Sequence, residues 1–297
     1  MASQSADGVI FGLSGGVDST TLAALAVPAL GAHRVQVMYL FERESSQLLA
    51  TNAQRAADWL GIRLTRHSID PAMEFSGIYD PPSMRITRRF GWINRVIHGM
   101  YKAVSGETVY LSSLRPKSIG FDRKWIEIIY TNVMGPVEKA FRARHIQRRH
   151  ILEKTATERN LVLIGAANRS EWMVGWFVKD GVDDLPRQPL VGLYKTQLRQ
   201  LASYLQLPPT IQSQAPSPDM MKGITDEFAL GLPYRLIDLA LDHLEGGITQ
   251  EQLASHGVRR KDVERVRTMN ALSAWKRSAH YPLPPVDGGP LGGYRRD

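Results

Sequence analysis

Short apolar runs alternate with amphipathic segments over the first quarter of the chain. Val9–Leu13 has the length and composition of a buried strand, Val35–Leu40 is predicted to be a second apolar strand, and Ile62–Ile69 a third strand. Between them, Asp18–Val27 and Asn52–Leu60 place small and apolar side chains at helical spacing. This strand–helix order predicts an α/β fold with a doubly wound parallel sheet that carries helices on both faces.

The regular pattern stops after the third strand. Residues 73–137 show no clear period, and they are predicted to be an inserted cap or interface segment. A basic helix is predicted over 138–157, and Leu161–Ala167 predicts a further buried strand. The C-terminal part from Pro233 is predicted to be helical, and the Pro- and Gly-rich residues 282–297 predict an extended tail.

The composition narrows the class of protein. Of 297 residues, 43% are hydrophobic and 22% charged, which excludes a disordered or fibrous chain, and a single domain over 1–297 is expected. Cysteine is absent, which excludes disulfides, Cys-ligated metals and a thiol nucleophile on this chain. No apolar run suffices to cross a membrane and no secretory signal is visible, so a cytoplasmic protein is expected.

The formal net charge of +8 is carried by one segment. Residues 73–150 hold 14 Lys and Arg against six Asp and Glu, which gives +8 and leaves the rest of the chain neutral. Three interpretations remain open: a solvated basic face, a collar around a phosphate-bearing substrate, or a contact with RNA. The helix pair at 249–275 also resembles a helix-turn-helix, but a nucleic-acid partner is the least favoured of these.

The strongest local signal is the loop Ser14–Ser19, SGGVDS, between the first strand and the first helix. Its glycines and the helix start expose backbone N–H groups that suit a phosphate. Asp18 repels phosphate, so its presence indicates a bridging Mg²⁺. The loop lacks the lysine of a Walker A motif. The alternative is a plain glycine turn with an Asp and Ser helix cap.

The loop and its flanks, GLSGGVDST, resemble the PP-loop of the ATP pyrophosphatase superfamily, which has the adenine nucleotide α-hydrolase-like, Rossmann-like fold. Later segments resemble ammonia-dependent NAD synthetases in matching order. These segments are Arg142–Arg144, Leu163–Glu171, Leu193–Leu198, Ala215–Asp219, Ile224–Glu227, Gly231–Tyr234 and Trp275–Arg277. With the N-terminal part, the resemblance covers residues 9–72 and 137–285.

The resemblance implies a role for individual residues. Asp18, Glu171 and Lys195 are the implied catalytic residues, and Asp18 and Glu171 the implied Mg²⁺ ligands. Glu171 also follows the end of a buried strand, so it can reach the same ion as Asp18. The implied ATP contacts are Leu13, Ser14, Gly15, Gly16, Asp18, Ser19, Thr20, Arg144, Lys195 and Ser217. The implied second-substrate contacts are Arg142, Asn168, Lys179, Asp183, Asp219 and Lys276.

The implied activity is ATP-dependent adenylation of a small-molecule carboxylate with release of pyrophosphate, followed by amide formation with ammonia. In NAD synthetases this converts deamido-NAD to NAD, with ATP and Mg²⁺, in a homodimer. The chain departs from the family at Gly165–Ala167, where the family has GTG, and at the shortened loop 178–181. A relative that adenylates another acid, for amide or sulfur transfer, is therefore the alternative, and a nucleic-acid-binding protein a remote one.

Overall fold

Four parallel strands form the sheet of the computed structural model, which describes residues 6–79, 91–115, 123–218 and 223–277. The strand order is β3-β2-β1-β4, and every neighbouring pair is parallel. The strands are β1 (Gly8–Gly12), β2 (Val35–Phe41), β3 (Leu64–Ser68) and β4 (Leu161–Leu163). The sequence-based prediction of a parallel sheet is confirmed.

Helices make up most of the remaining described structure. They are α1 (Val17–Leu30), α2 (Gln47–Leu60), α3 (Asp70–Phe75), α4 (Gly91–Ser105), α5 (Val109–Ser113), α6 (Lys124–Ile129), α7 (Gly135–Glu158), α8 (Arg169–Val174), α9 (Lys195–Tyr204), α10 (Pro209–Gln212), α11 (Asp226–Leu230), α12 (Tyr234–Leu244), α13 (Gln250–Ser255) and α14 (Arg260–Leu272). A π-helical turn, Tyr130–Met134, joins α6 to α7, and 3₁₀ turns occupy Ala32–Arg34 and Ala274–Arg277.

Alternate side chains of the strands enter two cores. Phe11 and Val37 pack with α1, α2 and α9 on one face of the sheet. Ile10 and Met38 pack with α3 and α7 on the other face. Because side chains of a strand alternate between faces, both faces of β1 and β2 are apolar and both are covered, as predicted for a doubly wound sheet.

The last strand is shorter than the sequence predicts. Pairing with β1 covers Leu161–Leu163, whereas the apolar run continues to Ala167. The chain leaves the sheet because Gly165 N donates to Arg187 O at 2.8 Å and Ala167 N to Gln188 Oε1 at 3.1 Å. This departure carries the chain toward α8 at the carboxyl edge of the sheet.

Beyond β4, each element in the described residues is a helix, as predicted for the C-terminal part. A separate core joins α5, α12 and α14 through Tyr110, Ile237, Leu241, Val266 and Met269. The predicted basic helix over 138–157 is α7, which spans Gly135–Glu158.

Segment 73–137 contains α4, α5 and α6 within its described part, and the predicted tail at 282–297 lies outside the described residues. Among the described residues, no helix combines the length and the hydropathy that a membrane span requires.

Candidate active site

The loop between β1 and α1 can be formed only with glycine at its second position. Gly15 has φ +80°, and a Cβ there would lie 2.2 Å from the Leu49 carbonyl oxygen of α2. Gly16 is the N-cap of α1, so the free N–H groups of that helix point toward the cavity described below. The hydroxyls of Ser14 and Ser19 lie 3.0 Å apart at the same point. The loop thus offers N–H and O–H donors around one position, which suits a phosphate.

A buried lysine joins two carboxylates beside this loop. Lys195 Nζ lies 2.5 Å from Asp18 Oδ2 and 3.1 Å from Glu171 Oε1, and its side chain is 1% exposed. Asp18 begins α1, Glu171 lies in α8 and Lys195 begins α9. The sheet topology therefore brings the three implied catalytic residues together.

Burial controls the charge of this cluster. Burial raises the pKa of Glu171 to about 8, with Lys195 opposing the rise and the carboxylates of Asp18 and Asp226 adding to it. Burial alone lowers the pKa of Lys195, but Asp18, Glu171 and Asp226 outweigh it and hold that pKa above its usual range. The Lys195 ammonium group is therefore charged at neutral pH. The Asp18, Glu171 and Asp226 carboxylates share this one positive charge.

Asn168 contacts the Asp18 carboxylate and caps the helix that carries Glu171. Its Nδ2 donates to Asp18 Oδ1 at 3.1 Å, and its Oδ1 accepts the Glu171 N–H at 3.0 Å as the N-cap of α8. Asn168 is fully buried and does not line the cavity. It was assigned to the second substrate by resemblance, but its contacts in the structure are with the charged cluster.

A second buried carboxylate, Asp238, holds the start of α9. It accepts hydrogen bonds from the Ser170 hydroxyl and, at 2.8 Å, from Thr196 N. Ser170 Oγ in turn accepts the Lys195 N–H at 2.8 Å. Burial raises the pKa of Asp238 to about 6. Sequence reasoning missed Asp238; the available signal was an acid on the apolar face of an amphipathic segment, LIDLALD.

Asp226, in α11, and Tyr234, at the start of the predicted helical C-terminal part, complete the cluster. Tyr234 Oη donates to Asp226 Oδ2 at 3.0 Å, and Lys195 Nζ lies 5.1 Å from the centre of the Tyr234 ring. Burial raises the pKa of Asp226 to about 6. In the sequence, Asp226 belongs to the segment Ile224–Glu227 that resembles the family, but it was assigned no role in the site.

A cavity of about 390 Å³ extends from the loop across the carboxyl edge of the sheet. Met38, Tyr39 and Leu40, from the end of β2, give one wall an apolar surface. The far end carries cationic side chains, including Lys179 and Lys276. An apolar wall, a phosphate-binding loop and a basic end suit a nucleotide and a second anionic molecule.

Lys276 lies at this basic end. Its Nζ donates to the carbonyl oxygens of Gly175 and Phe177, each at 2.9 Å. Burial lowers the pKa of Lys276 to about 8. Asp183, on the same side, places Oδ2 3.0 Å from His145 Nδ1.

Most residues assigned from the sequence meet at this cavity. Those that line it are Leu13, Ser14, Gly16, Asp18, Ser19, Arg142, Glu171, Lys179, Asp183, Lys195, Ser217 and Lys276. Gly15 shapes the loop, and Thr20 donates its hydroxyl to Gly16 O at 2.9 Å, so neither lines the cavity. Asp219 lies outside the described residues.

Arg144 is not brought to the cavity, although the resemblance implies an ATP contact. It is 1% exposed, and its Nε donates to Glu42 Oε2 at 2.9 Å while its Nη2 lies 3.4 Å from Glu44 Oε2. The hydroxyl of Tyr79 donates to the same Glu42 oxygen at 2.6 Å. Arg144 faces the end of β2 from α7, so its charge is neutralised inside the protein.

The donor set fits Mg²⁺ when phosphate is present. Asp18 and Glu171 offer two carboxylates beside the loop, and Mg²⁺ is commonly held by one or two carboxylates together with phosphate oxygens and water. No group of three or more His, Asp or Glu side chains able to hold a metal by itself occurs in the described part of the chain. The residues therefore suit an ion that arrives with the nucleotide.

Comparison with known proteins identifies the family. The family model described as NAD synthase matches residues 1–85 and 125–280. The chain belongs to the NAD synthase family. This confirms the resemblance found in the sequence.

Individual family members are similar over most of their length. An NH(3)-dependent NAD(+) synthetase from Thermotoga maritima is 32% identical over 266 residues, which are 90% of this chain and 88% of the relative. One from Mesorhizobium japonicum is 30% identical over 283 residues, 92% of this chain and 87% of the relative.

Solved structures agree on the fold. An NMN synthetase from Francisella tularensis has a TM-score of 0.63 at 26% identity and covers 95% of this chain and 90% of its own. An NH3-dependent NAD synthetase from Campylobacter jejuni has a TM-score of 0.58 at 18% identity, with 95% and 92% covered.

Proposed function

We propose that the protein is an ATP-dependent carbon–nitrogen ligase that converts deamido-NAD to NAD with ammonia. The observation that carries this proposal is the Lys195 bridge between Asp18 and Glu171 beside the glycine loop, in a chain of the NAD synthase family. The family relatives named above are ammonia-dependent, and a cysteine-free chain has no thiol with which to release ammonia from glutamine.

In the first step, a carboxylate oxygen of the acid attacks the α-phosphorus of ATP and pyrophosphate leaves. The N–H groups at the start of α1 and the Ser14 and Ser19 hydroxyls hold the β- and γ-phosphates. Lys195 neutralises the charge that develops on pyrophosphate. Asp18 and Glu171 would hold Mg²⁺, which would supply further positive charge against the charge that develops on pyrophosphate.

In the second step, ammonia attacks the carbonyl carbon of the acyl-adenylate. The C–N bond forms, the bond from that carbon to the AMP oxygen breaks, AMP leaves with the electron pair, and a proton passes to solvent. Arg142, Lys179 and Lys276 lie at the basic end of the cavity and hold the anionic second substrate there. The contribution of the protein is alignment and charge neutralisation.

Nicotinic acid mononucleotide is the second candidate for the acid. The similarity to a solved NMN synthetase favours it, because that protein is named for the mononucleotide amide. Both candidates share the adenylation chemistry and differ only in the size of the second substrate.

The family resemblance also implies a homodimer, and α4 offers a surface for it. Trp92, Val96, Met100 and Val104 recur every four residues along α4, and Trp92 and Met100 are each 64% exposed. An exposed apolar stripe of this kind on a globular protein marks a contact surface. We propose that a second copy of the chain covers it and that segment 73–137 supplies this interface.

The test is release of pyrophosphate from ATP with each acid in turn, followed by AMP and amide formation when ammonium is added. We expect Mg²⁺-dependent release with deamido-NAD, and loss of at least about a hundredfold in Asp18→Asn. Asp58→Asn is the matched control, because Asp58 is exposed on α2, away from the cavity. Release with nicotinic acid mononucleotide alone selects the second candidate, and wild-type activity in Asp18→Asn rejects the role of that carboxylate.

A further inference from the structure

A second cavity lies beside the first, between α4 and residues 227–233. Its volume is about 400 Å³, and it opens to solvent. Gly99 and Lys102 line it from α4, and Leu232 lines it from the opposite side. None of the loop residues or the charged groups around Lys195 lines it, so adenylation makes no direct use of this space.

Three side chains among the described residues line both cavities: His98, Val109 and Ala229. Within the described residues, these three side chains therefore form the partition between the two cavities. Ala229 follows Asp226 by three residues in α11, which is about one helical turn. Asp226 accepts a hydrogen bond from Tyr234, whose ring centre lies 5.1 Å from Lys195 Nζ, so the partition lies about one helical turn from the charged cluster.

In the proposed reaction, ammonia is consumed only after the acyl-adenylate has formed, when that intermediate occupies the first cavity. A second route to the reacting carbon would remain available at that stage. A partition made of small or uncharged side chains admits a small neutral molecule more readily than a cation. Burial lowers the pKa of His98 to about 4, so its imidazole is uncharged at neutral pH.

We propose that ammonia reaches the acyl-adenylate through the second cavity, across the partition formed by His98, Val109 and Ala229. This inference rests on the proposed function, since it concerns the nucleophile of that reaction. The second cavity serves the amidation step alone, and the adenylation step is independent of it.

Gly99 allows a direct test, because it lines the second cavity and not the first. A Cβ at Gly99 meets nothing within 4 Å, so a side chain there can extend into open space. Gly99→Trp adds a large side chain at the wall of the second cavity, and Gly99→Ala is the matched control that adds only a methyl group there. Initial rates of amide formation are measured against ammonium chloride at fixed pH, with ATP and deamido-NAD saturating.

We expect Gly99→Trp to raise the KM for ammonium by about tenfold or more, with unchanged KM values for ATP and the acid. Pyrophosphate release without ammonium should equal that of the wild type, and Gly99→Ala should match the wild type throughout. An ammonium KM within twofold of the wild type, or an equal loss in both steps, overturns the proposal.

Val109→Phe gives an independent measurement, since it narrows the partition instead of the outer cavity. It should raise the ammonium KM in the same way, and an unchanged value contradicts the route. A separate measurement tests the proposed function. If the wild type releases no pyrophosphate with either acid, the proposed function is wrong. A wild type that amidates normally beside an unaffected Gly99→Trp refutes only the ammonia route.

Discussion

Replacing Asp238 with asparagine tests how the structure holds Lys195. Asp238 accepts hydrogen bonds from Ser170 and from Thr196 N, and Ser170 accepts the Lys195 N–H. Asparagine has the same shape but carries an NH₂ group in place of one acceptor oxygen, so one of these donors loses its partner. We expect kcat to fall by about tenfold, because a hydrogen bond of this kind contributes about 1 kcal/mol or more.

The same change should make the protein more stable at neutral pH. Burial raises the pKa of Asp238 from 3.8 to about 6, with Lys195 as the charged group that opposes the rise. At about 1.36 kcal/mol per pKa unit, ionised Asp238 costs about 3 kcal/mol in the folded state. Because the folded pKa is raised, the stability that Asp238 contributes is present below pH 4 and is lost as pH rises through about 6.

Urea unfolding of the wild type and Asp238→Asn from about pH 3.5 to pH 7 measures this difference. The lost hydrogen bond lowers the stability of the variant by the same amount at each pH, whereas the cost of ionising Asp238 falls on the wild type alone. Relative to the wild type, the variant should therefore gain about 3 kcal/mol across this range and be the more stable protein at pH 7. A difference that does not change with pH, or a wild type that is more stable at pH 7, would refute the reasoning. Steady-state kinetics on the same samples separates the loss of kcat from any loss of folding.

Four further changes have definite expected outcomes. Arg144→Met should lower the free energy of unfolding in urea by about 3 to 5 kcal/mol, since it removes the buried cation that Glu42 and Glu44 face, and should leave the KM for ATP unchanged. Lys276→Met should raise the KM for the acid and remove the increase in that KM expected of the wild type above pH 8, where Lys276 loses its charge. Gly15→Ala should abolish ATP binding in equilibrium dialysis, because its Cβ meets the α2 backbone. Met100→Asp should yield monomers in sedimentation if α4 forms the dimer contact.

The fold could be predicted from the sequence because its strands and helices each leave a pattern within a short segment. β1 and β2 are short apolar runs, and α1 between them carries small side chains at helical spacing. The glycine loop was equally clear, because its composition has few structural uses outside anion binding. The strand and helix patterns and the glycine loop each span fewer than about twenty residues. Over such a length, the spacing of apolar and polar residues is informative.

The missed parts of the site depend on contacts between distant segments. Asp238 lies 42 residues from Thr196 and 68 from Ser170, so no spacing rule connects them. Arg144 was assigned to ATP on resemblance, whereas its partner Glu42 lies 102 residues away and neutralises it inside the core. Tertiary packing decides which buried polar side chains pair with each other. The residue pattern of one segment does not contain this information.

The long separations within the charged cluster also bear on how the protein is made. Lys195 and Asp18 are 177 residues apart in the chain, and Asp226 follows Lys195 by a further 31 residues. A nascent chain on the ribosome can fold the N-terminal strands early. It cannot assemble the charged cluster around Lys195 until synthesis has passed α11. The chain therefore gains affinity for nucleotide late in translation. Nucleotide binding by the chain indicates that these long-range contacts have formed.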